Sequence, residues 1–147
     1  MYGASPFAEQ IGPDLGLKPA MTLRASLMAI NQLRKGSYVG YGCTWQCPED
    51  MPVGVVGIGY ADGYPRLMQN GAPVLIGDTI VPLIGRVSMD MITIDLRGFP
   101  QAKVGQPVVL WGKGLPVEKV ARYANTISYQ LLTGVTSRVK FVYDEYN

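Results

Sequence analysis

The stretch PVGVVGIGY, residues 52–60, decides the fold class of this chain. It is dense in Val, Ile and Gly, and its length suits a buried β-strand. Upstream, apolar and polar residues alternate over residues 21–29, which is the period of a half-buried strand. This run of short strands predicts a mostly β fold, either a barrel or a sandwich. Further short apolar segments cover residues 74–76, 80–84, 91–96 and 108–111.

Turn-forming residues separate these segments. A turn is expected at residues 34–37, followed by a short aromatic stretch over residues 38–45. The pair Asn70-Gly71, which follows the apolar pair Leu67-Met68, is typical of a hairpin turn. The pair Gly77-Asp78 is another turn of this type, so we expect hairpins with short connections.

The C-terminal part of the sequence adds helical signals. Pro116 stands at a first-turn position before residues 117–124, whose apolar positions share one helix face. Residues 129–132 predict a second short helix before Gly134. Residues 138–143 alternate again, which predicts a closing strand. The sequence thus predicts a β-domain with one or two short helices near its C-terminus.

The composition bounds the size and class of the protein. Of its 147 residues, 48% are hydrophobic and 16% are charged, which is enough for one core of about 100–150 residues. We expect a linker over residues 1–20, which are rich in Gly, Pro and Ala, and a β-domain over residues 21–147. The longest apolar stretch, residues 51–61, is shorter than the roughly 20 residues of a membrane helix. The N-terminus lacks an export signal, so we expect a cytoplasmic protein with no membrane partner.

Charge and residue types exclude several functions. The net charge is +2 and charged residues form no runs, so nothing indicates a nucleic-acid partner. The chain contains no histidine, which excludes a Ser-His-Asp triad, a Cys-His pair and a His-containing zinc site. Cys43 and Cys47 stand four residues apart without further ligands, which predicts reduced thiols and no metal site. We interpret Cys43 as a small buried hydrophobe.

A glycine pattern, Gly57-x-Gly59-x-x-x-Gly63, follows the central strand and could be a variant dinucleotide-binding turn. Such a turn must open a helix of about ten residues or more. Pro65 and the Asn70-Gly71 turn leave no room for that helix. A nucleotide site is therefore disfavoured.

Three stretches combine glycine with functional polar and aromatic side chains at strand edges. They are GYGCTW at residues 40–45, GYADGYPR at 59–66 and GRVSMD at 85–90. A fourth, TISY at 126–129, is followed by TSR at 136–138. In this order the motifs closely resemble the C-terminal domain of alanine racemase, the pyridoxal-phosphate enzyme that interconverts L- and D-alanine. The likeness extends over essentially the whole chain.

The resemblance implies a β-domain of about eight strands that follows an N-terminal (β/α)8 barrel. In the family, that barrel carries pyridoxal 5'-phosphate on a Schiff-base lysine, and the cofactor makes the Cα proton of alanine removable. The segment YGASP, residues 2–6, resembles the sequence just after the barrel's last strand. We therefore expect the barrel and its lysine to lie outside this chain, and the chain alone to be inactive. The resemblance also implies a role in supplying D-alanine for cell-wall peptidoglycan.

By motif, Tyr41 aligns with the family's catalytic tyrosine. That tyrosine abstracts or returns the Cα proton on one face while a barrel lysine works on the other. A phenol ordinarily has a pKa of about 10, so a tyrosine base needs a nearby positive charge or hydrogen bonds. In a chain without histidine this help must come from an arginine or from the barrel; in the family, the tyrosine meets the N-terminal barrel of the second subunit of a homodimer. From the residues alone, Tyr41 is more simply a barrel tyrosine with a satisfied hydroxyl.

The resemblance implies further roles. Met89 aligns with the residue whose backbone N–H contacts the substrate carboxylate, and Tyr129 with a tyrosine that hydrogen-bonds the cofactor phosphate. The positions that line the family's narrow substrate corridor and select a small zwitterion are Tyr60, Arg66, Arg86, Asp90 and Ile127. Without the resemblance, Met89 would be a core methionine and Tyr129 a helix-face aromatic. The two arginines would be solvated or paired with Asp62 or Asp90.

Two other functions are compatible with a small β-barrel. The chain could be a non-catalytic module that uses the same barrel face to dock another protein. A racemase domain and a docking module differ in whether adding the missing N-terminal domain restores racemisation. An oligonucleotide-binding barrel would use Tyr and Trp side chains as stacking platforms, but the chain lacks the basic groove that single-stranded DNA requires. The leading hypothesis is the C-terminal domain of an alanine racemase, with alanine as substrate.

Overall fold

The computed structural model describes residues 2–7 and 9–143, which contain eight strands and two short helices. The strands are β1 (Leu23–Leu33), β2 (Tyr38–Val39), β3 (Trp45–Gln46), β4 (Met51–Val56), β5 (Pro73–Ile76), β6 (Thr79–Ile84), β7 (Ile92–Asp95) and β8 (Pro107–Trp111). The helices are α1 (Val117–Tyr123) and α2 (Ser128–Thr133), and 3₁₀ turns cover Gly12–Leu15, Tyr41–Cys43 and Tyr60–Asp62.

Six strands close into an antiparallel barrel in the order β1-β4-β7-β6-β5-β8. The long strand β1 closes it because residues 23–26 pair with β8 and residues 27–33 pair with β4. The remaining strands, β2 and β3, form a separate two-stranded sheet. The predicted β-barrel with one or two short helices near the C-terminus is therefore confirmed.

The barrel is filled by apolar side chains rather than hollow. Tyr64, from the loop after β4, stacks on Trp111, the last residue of β8, with ring centroids 6.1 Å apart and planes at 11°. Such aromatic pairs stabilise a core beyond their buried area. The interior is the main source of stability, since each fully buried Leu or Ile contributes about 1.5–3 kcal/mol. Its fully buried members include Leu27, Val56, Ile76, Leu83, Ile92, Ile94 and Leu110.

The small sheet of β2 and β3 is held by a second buried cluster. Its two strands pair Tyr38 with Gln46 and Val39 with Trp45. The cluster joins this sheet to residues of β4 and β6, so the loop between β2 and β3 is fixed relative to the barrel. The cluster consists of Val39, Cys47, Met51, Val53 and Ile84.

The N-terminal segment, predicted as a linker, packs on α1. Ala4 is buried within the main core. The backbone N–H groups of Ser5 and Gly12 both donate to Oε1 of Glu118, at 2.7 and 2.9 Å. One side chain of α1 therefore holds this segment against the β-domain. The boundary between linker and domain at residue 20 stays a prediction.

Three predicted elements differ in the structure. The strand predicted over residues 52–60 ends at Val56, because the chain bends there and Ile58 N donates to the Val56 carbonyl at 2.9 Å. The Asn70-Gly71 pair does not join two strands of a hairpin, because no strand precedes it: Leu67 lies in a turn, and Met68 is buried in the core. Residues 138–143 form no strand, because the closed barrel offers no free edge for one.

The two ends of the barrel carry different connections. At one end β4, β6 and β8 finish while β1, β5 and β7 begin, as the register pairs Val56↔Ile92 and Leu23↔Trp111 show. We call this the site end, and it carries the connections 57–72 and 85–91 and the segment after β8. The opposite end carries the turn at residues 34–37 and the Gly77-Asp78 hairpin.

Candidate functional site

The first motif forms a tight loop that turns Tyr41 outward. Gly40 has a φ of 78°, a left-handed conformation that glycine adopts without steric cost. A Cβ at Gly40 would lie 2.7 Å from the backbone N of Arg86, so the loop packs directly on the β6–β7 connection. Tyr41 begins the 3₁₀ turn that follows and is 73% exposed. It is therefore not a packed residue of the barrel wall.

Arg86 brings a positive charge to this loop. It follows Gly85 at the end of β6, and its guanidinium lies alongside Gly42, where a Cβ would be 3.6 Å from Nη1. Among the residues that the structure describes, Arg86 forms no ion pair. The Arg86 side chain is therefore an exposed positive charge beside the loop that carries Tyr41.

The second and third motifs are joined by backbone hydrogen bonds. Tyr60 N donates to the Ser88 carbonyl at 3.0 Å. Ala61 N donates to the Met89 carbonyl, also at 3.0 Å. Gly59 makes this approach possible, since a Cβ there would lie 2.4 Å from backbone atoms of Met89 and Ser88. Tyr60 itself remains 42% exposed beside this contact.

Met89 presents an unused amide in a tight turn. Ser88 N and Ser88 Oγ both donate to the Met91 carbonyl, at 3.0 and 2.8 Å, and Met91 N donates back to Ser88 Oγ. The Met89 N–H has no acceptor among the described residues. Met89 is 51% exposed, so the interpretation of Met89 as a core methionine is wrong. A backbone donor is therefore in place for an external acceptor.

Ile127 and Tyr129 lie at the start of α2. Ile127 is exposed just before the helix, and Tyr129 is half-buried in its first turn. The chain after α2 returns to the second motif, because a Cβ on Gly63 would lie 2.3 Å from the Gly134 carbonyl oxygen. No hydrogen bond or ion pair within the described residues joins the side chains of Ile127, Tyr129 or Arg66 to the other predicted site residues.

Arg138 is the residue of the site end to which the sequence assigned no role. Its guanidinium donates to Oδ1 of Asp90 at 2.6 Å and lies 3.3 Å from Oδ1 of Asp62. The hydrogen bond to Asp90 raises the pKa of Arg138. Asp62 and Asp90 therefore pair with Arg138. The pairing with Arg66 or Arg86, which the residue types alone allowed, is not what the structure shows. In the sequence, Arg138 stood out only as part of the motif at residues 136–138, which supported the family resemblance but gave Arg138 no role.

Tyr64 belongs to the same motif as Tyr60 but is buried. Burial raises the pKa of Tyr64, so its phenol stays neutral at physiological pH. Tyr64 Oη and Trp111 Nε1 have no hydrogen-bond partner in the described part of the chain. Each of the two tyrosines directly follows a glycine, Gly59 or Gly63. The sequence therefore could not show which tyrosine is exposed and which is buried.

The two thiols have opposite environments. Cys43 is exposed, so its interpretation as a buried hydrophobe is wrong. Cys47 is buried in the second cluster, where burial and the charge of Asp95 raise the pKa of Cys47. Over residues 2–7 and 9–143, no group of three or more His, Cys, Asp or Glu side chains could hold a metal ion. No helix in the same residues has the length and apolarity to cross a membrane.

The predicted residues lie at or beside the site end and give it an exposed face, since all but the half-buried Tyr129 are exposed. A cavity of about 250 Å³ lies elsewhere, between the N-terminal segment and the connection from β8 to α1, and no predicted site residue lines it. The face has exposed aromatic and apolar side chains, with Arg66 and Arg86 among the exposed charges. An open face of this kind is typical of a surface that meets a partner.

The closed barrel, with the predicted site residues on the loops at one end, defines the class of protein: a small antiparallel β-barrel domain whose loops carry the candidate site. The profile of the family described as "Alanine racemase, C-terminal domain" matches residues 20–143. The chain belongs to this family.

Individual relatives agree with that assignment. The alanine racemase of Nitrosococcus oceani is 60% identical over 139 residues, which cover 95% of this chain and 39% of the relative. The alanine racemase of Piscirickettsia salmonis is 52% identical over 145 residues, 99% of this chain and 87% of the relative. The crystal structure of biosynthetic alanine racemase from Pseudomonas aeruginosa matches with a TM-score of 0.96 and 49% identity, over 98% of this chain and 40% of that one. This chain thus spans about 40% of the length of the first and third proteins.

Proposed function

We propose that this chain supplies one side of a composite alanine racemase site, with Tyr41 as the base for one face of the substrate carbon. The observation that carries the proposal is the position of Tyr41. It is exposed at the site end, on a loop whose Gly40 packs against the backbone of Arg86. A general base must reach the proton it transfers, and an exposed phenol on a fixed loop can do so. The names of the relatives support alanine as the substrate.

The chain's own acid–base step is one proton transfer at the Oη of Tyr41. Racemisation removes the Cα proton on one face and returns a proton on the other, so a second base is needed opposite Tyr41. The family resemblance assigns that base to a lysine of the N-terminal barrel. The guanidinium of Arg86 lies alongside Gly42, the residue after Tyr41, and brings a positive charge to the same loop.

Binding of the substrate is assigned to the neighbouring loops. The unused N–H of Met89 would donate to the alanine carboxylate, since it has no acceptor among the described residues. Charges of both signs at the approach favour a small zwitterion over a charged or apolar molecule. The residues that would line this approach are Tyr60, Arg66, Arg86, Asp90 and Ile127.

Pyridoxal 5'-phosphate, which the family implies, fits the residues present in part. When bound, it supplies the electron sink that makes the Cα proton removable. Tyr129, half-buried in the first turn of α2, offers a phenolic O–H as donor to a phosphate oxygen. Every lysine of the described residues is exposed, so none has the desolvated environment of an activated lysine. The chain would therefore contribute a phosphate contact while the covalent attachment lies in the N-terminal barrel.

The partner that covers the open face is, on this proposal, the N-terminal barrel of a second subunit in a homodimer. Tyr41, Tyr60 and Met89 are all more than two fifths exposed, which is unusual for residues that bind a small substrate. Docking a barrel on this face would exclude water from them. The product, D-alanine, would enter peptidoglycan synthesis.

A chimera tests the proposal directly. The N-terminal part of the Nitrosococcus oceani alanine racemase is joined to this chain in place of its own matching segment. We expect the chimera to racemise alanine with bound pyridoxal phosphate, and the chain alone to show neither activity nor the absorbance of lysine-bound cofactor. Racemisation by the chain alone would contradict the division of labour. A folded, cofactor-loaded but inactive chimera would favour a docking module instead.

A further inference from the structure

The site end contains a three-way junction of Asp62, Asp90 and Arg138, and the proposed function gives Arg138 no role. The motif at residues 136–138 meets both the Tyr60 loop and the turn that holds Met89. Thr136 N donates to the Asp62 carbonyl at 3.1 Å, and Thr136 Oγ1 donates to the Ala61 carbonyl at 2.8 Å. The backbone and the hydroxyl of Thr136 thus anchor the C-terminal segment to the Tyr60 loop independently of the charge of Arg138.

Asp62 links this anchor to its own loop. Its Oδ2 accepts the N–H of Gly59 at 2.9 Å, which closes the 3₁₀ turn Tyr60–Asp62. Its Oδ1 lies 3.3 Å from Nε of Arg138. The Asp62 side chain is only 14% exposed, so this carboxylate is largely withdrawn from water and depends on these partners.

Asp90 provides the third side of the junction. It lies in the Ser88–Met91 turn, directly after Met89, and its Oδ1 accepts from Nη2 of Arg138 at 2.6 Å. A planar guanidinium can hold two carboxylates in one fixed geometry, which an ammonium cannot. Arg138 therefore joins two loops that also meet through the backbone hydrogen bonds of Tyr60 and Ala61.

We propose that Arg138 is a positioning residue: by holding Asp90 against Asp62, it fixes the Ser88–Met91 turn so that the free N–H of Met89 keeps one orientation. The role at Met89 rests on the proposed function, whereas the fixing of the two loops does not. Arg138 itself touches no reacting atom. Its effect on catalysis passes through the backbone of Met89, which binds substrate in ground state and transition state alike.

Hydrogen exchange in the 147-residue chain tests the fixing of the loops. The amides of Tyr60 and Ala61, which donate to Ser88 and Met89, are followed by NMR with the strand amides as internal reference. We expect Arg138→Ala to speed their exchange several-fold while the strands stay protected, and Arg138→Lys to give an intermediate rate. The matched control is Arg97→Ala, because Arg97 also bridges two carboxylates but lies at the opposite end. Unchanged exchange in Arg138→Ala, or equal acceleration in Arg97→Ala, would overturn the proposal.

Steady-state kinetics of the chimera tests the consequence for substrate binding. Because the Met89 contact is made in ground and transition states alike, Arg138→Ala should raise KM for alanine about tenfold with kcat little changed. Arg138→Lys should restore part of the loss, and Arg97→Ala should leave both constants unaltered. A variant that merely lost folded protein would lower kcat and leave KM alone, which would contradict positioning.

The two experiments separate the failures. If the wild-type chimera is inactive, the proposed function fails, and amide exchange still decides whether Arg138 fixes the loops. If the chimera is active and Arg138→Ala speeds exchange without raising KM, the loops are fixed by Arg138 but Met89 does not bind the carboxylate. That result would overturn the link to catalysis.

Discussion

The two ends of the barrel use the same charge arrangement for different purposes. At the opposite end, Arg97 pairs with Asp95 and Glu49. Asp95 is the last residue of β7, two residues before Arg97, whereas Glu49 lies between β3 and β4, so this cluster ties the end of β7 to the segment that leads into β4. At the site end, Arg138 joins Asp62 and Asp90, which belong to two loops far apart in the chain. Both arginines therefore bridge two segments, but Arg97 ties a strand end to the start of β4, whereas Arg138 ties together two loops that carry predicted site residues.

The site end also differs from the opposite end in how closely its loops pack through their backbones. Of the substitutions considered for stability, Gly59→Ala should have the largest effect, because it disturbs this packing. A Cβ there would lie 2.4 Å from the carbonyl of Met89, and backbone cannot yield as a flexible side chain can. We expect overpacking to lower the free energy of unfolding by about 1–3 kcal/mol, measured by urea denaturation. In the chimera the same change should reduce racemase activity, because it separates the loops that carry Tyr60 and Met89.

Gly98→Ala is the matched control at the opposite end. No heavy atom lies within 4 Å of a Cβ at Gly98, and its φ is not in the left-handed region. Its stability should stay within about 0.5 kcal/mol of the wild type. If Gly59→Ala proved equally mild, close packing would not be what organises the site end.

A smaller effect of opposite sign is expected beneath the site end, at Tyr64. Its buried hydroxyl has no partner among the described residues, so Tyr64→Phe removes an unsatisfied polar group. We expect the free energy of unfolding to rise by about 1 kcal/mol. Tyr60→Phe is the control, since Tyr60 is 42% exposed and its stability should not change. A loss of more than about 1 kcal/mol in Tyr64→Phe would mean that the hydroxyl is hydrogen-bonded.

The same substitution should alter the alkaline limb of the stability profile. Burial raises the pKa of Tyr64 in the folded chain above the value of about 10 that it has when unfolded. Below that pH both states hold the proton, and its contribution to stability is complete. Above it the unfolded chain releases the proton while the folded chain keeps it, so stability falls by about 1.4 kcal/mol per pH unit. Tyr64→Phe should lose this component of the decline, and identical alkaline slopes in both proteins would contradict it.

The smallest expected difference concerns the two thiols. Cys43 is exposed in the Tyr41 loop, whereas Cys47 is buried and its pKa is raised by burial and by Asp95. A small alkylating reagent at neutral pH should modify Cys43 first, because both exposure and thiolate fraction govern the rate. Mass spectrometry of the native protein gives the order of modification. Equal rates would show that the second cluster opens as readily as the surface loop.

Much of the barrel was predictable from sequence because its signals are local. Alternation over residues 21–29 became β1, and the Gly77-Asp78 pair became the turn between β5 and β6. The strand predicted over residues 138–143 was wrong for a non-local reason. Their alternation suits a strand, but whether a free edge exists depends on how β1 closes the barrel.

At the site end, the resemblance supplied names for residues but not their mutual contacts. Arg86 beside the Tyr41 loop and Met89 against the Tyr60 loop are both consequences of the β6–β7 connection, which lies far from either partner in sequence. The two ion pairs of Arg138 could not be predicted for the same reason. A lone arginine near the C-terminus has no local pattern that identifies two carboxylates as its partners.

The most direct measurement follows deuterium exchange at the alanine Cα in the chimera carrying Tyr41→Phe. L- and D-alanine are incubated separately in D₂O, with Tyr38→Phe as control because Tyr38 is also exposed on the same hairpin but lies outside the motif. If Tyr41 serves one face, exchange should fall by about 10²–10⁴ for one enantiomer and persist for the other, while racemisation is lost in both directions. Near-normal exchange and turnover with both enantiomers would make Tyr41 a structural residue and contradict its role as a base.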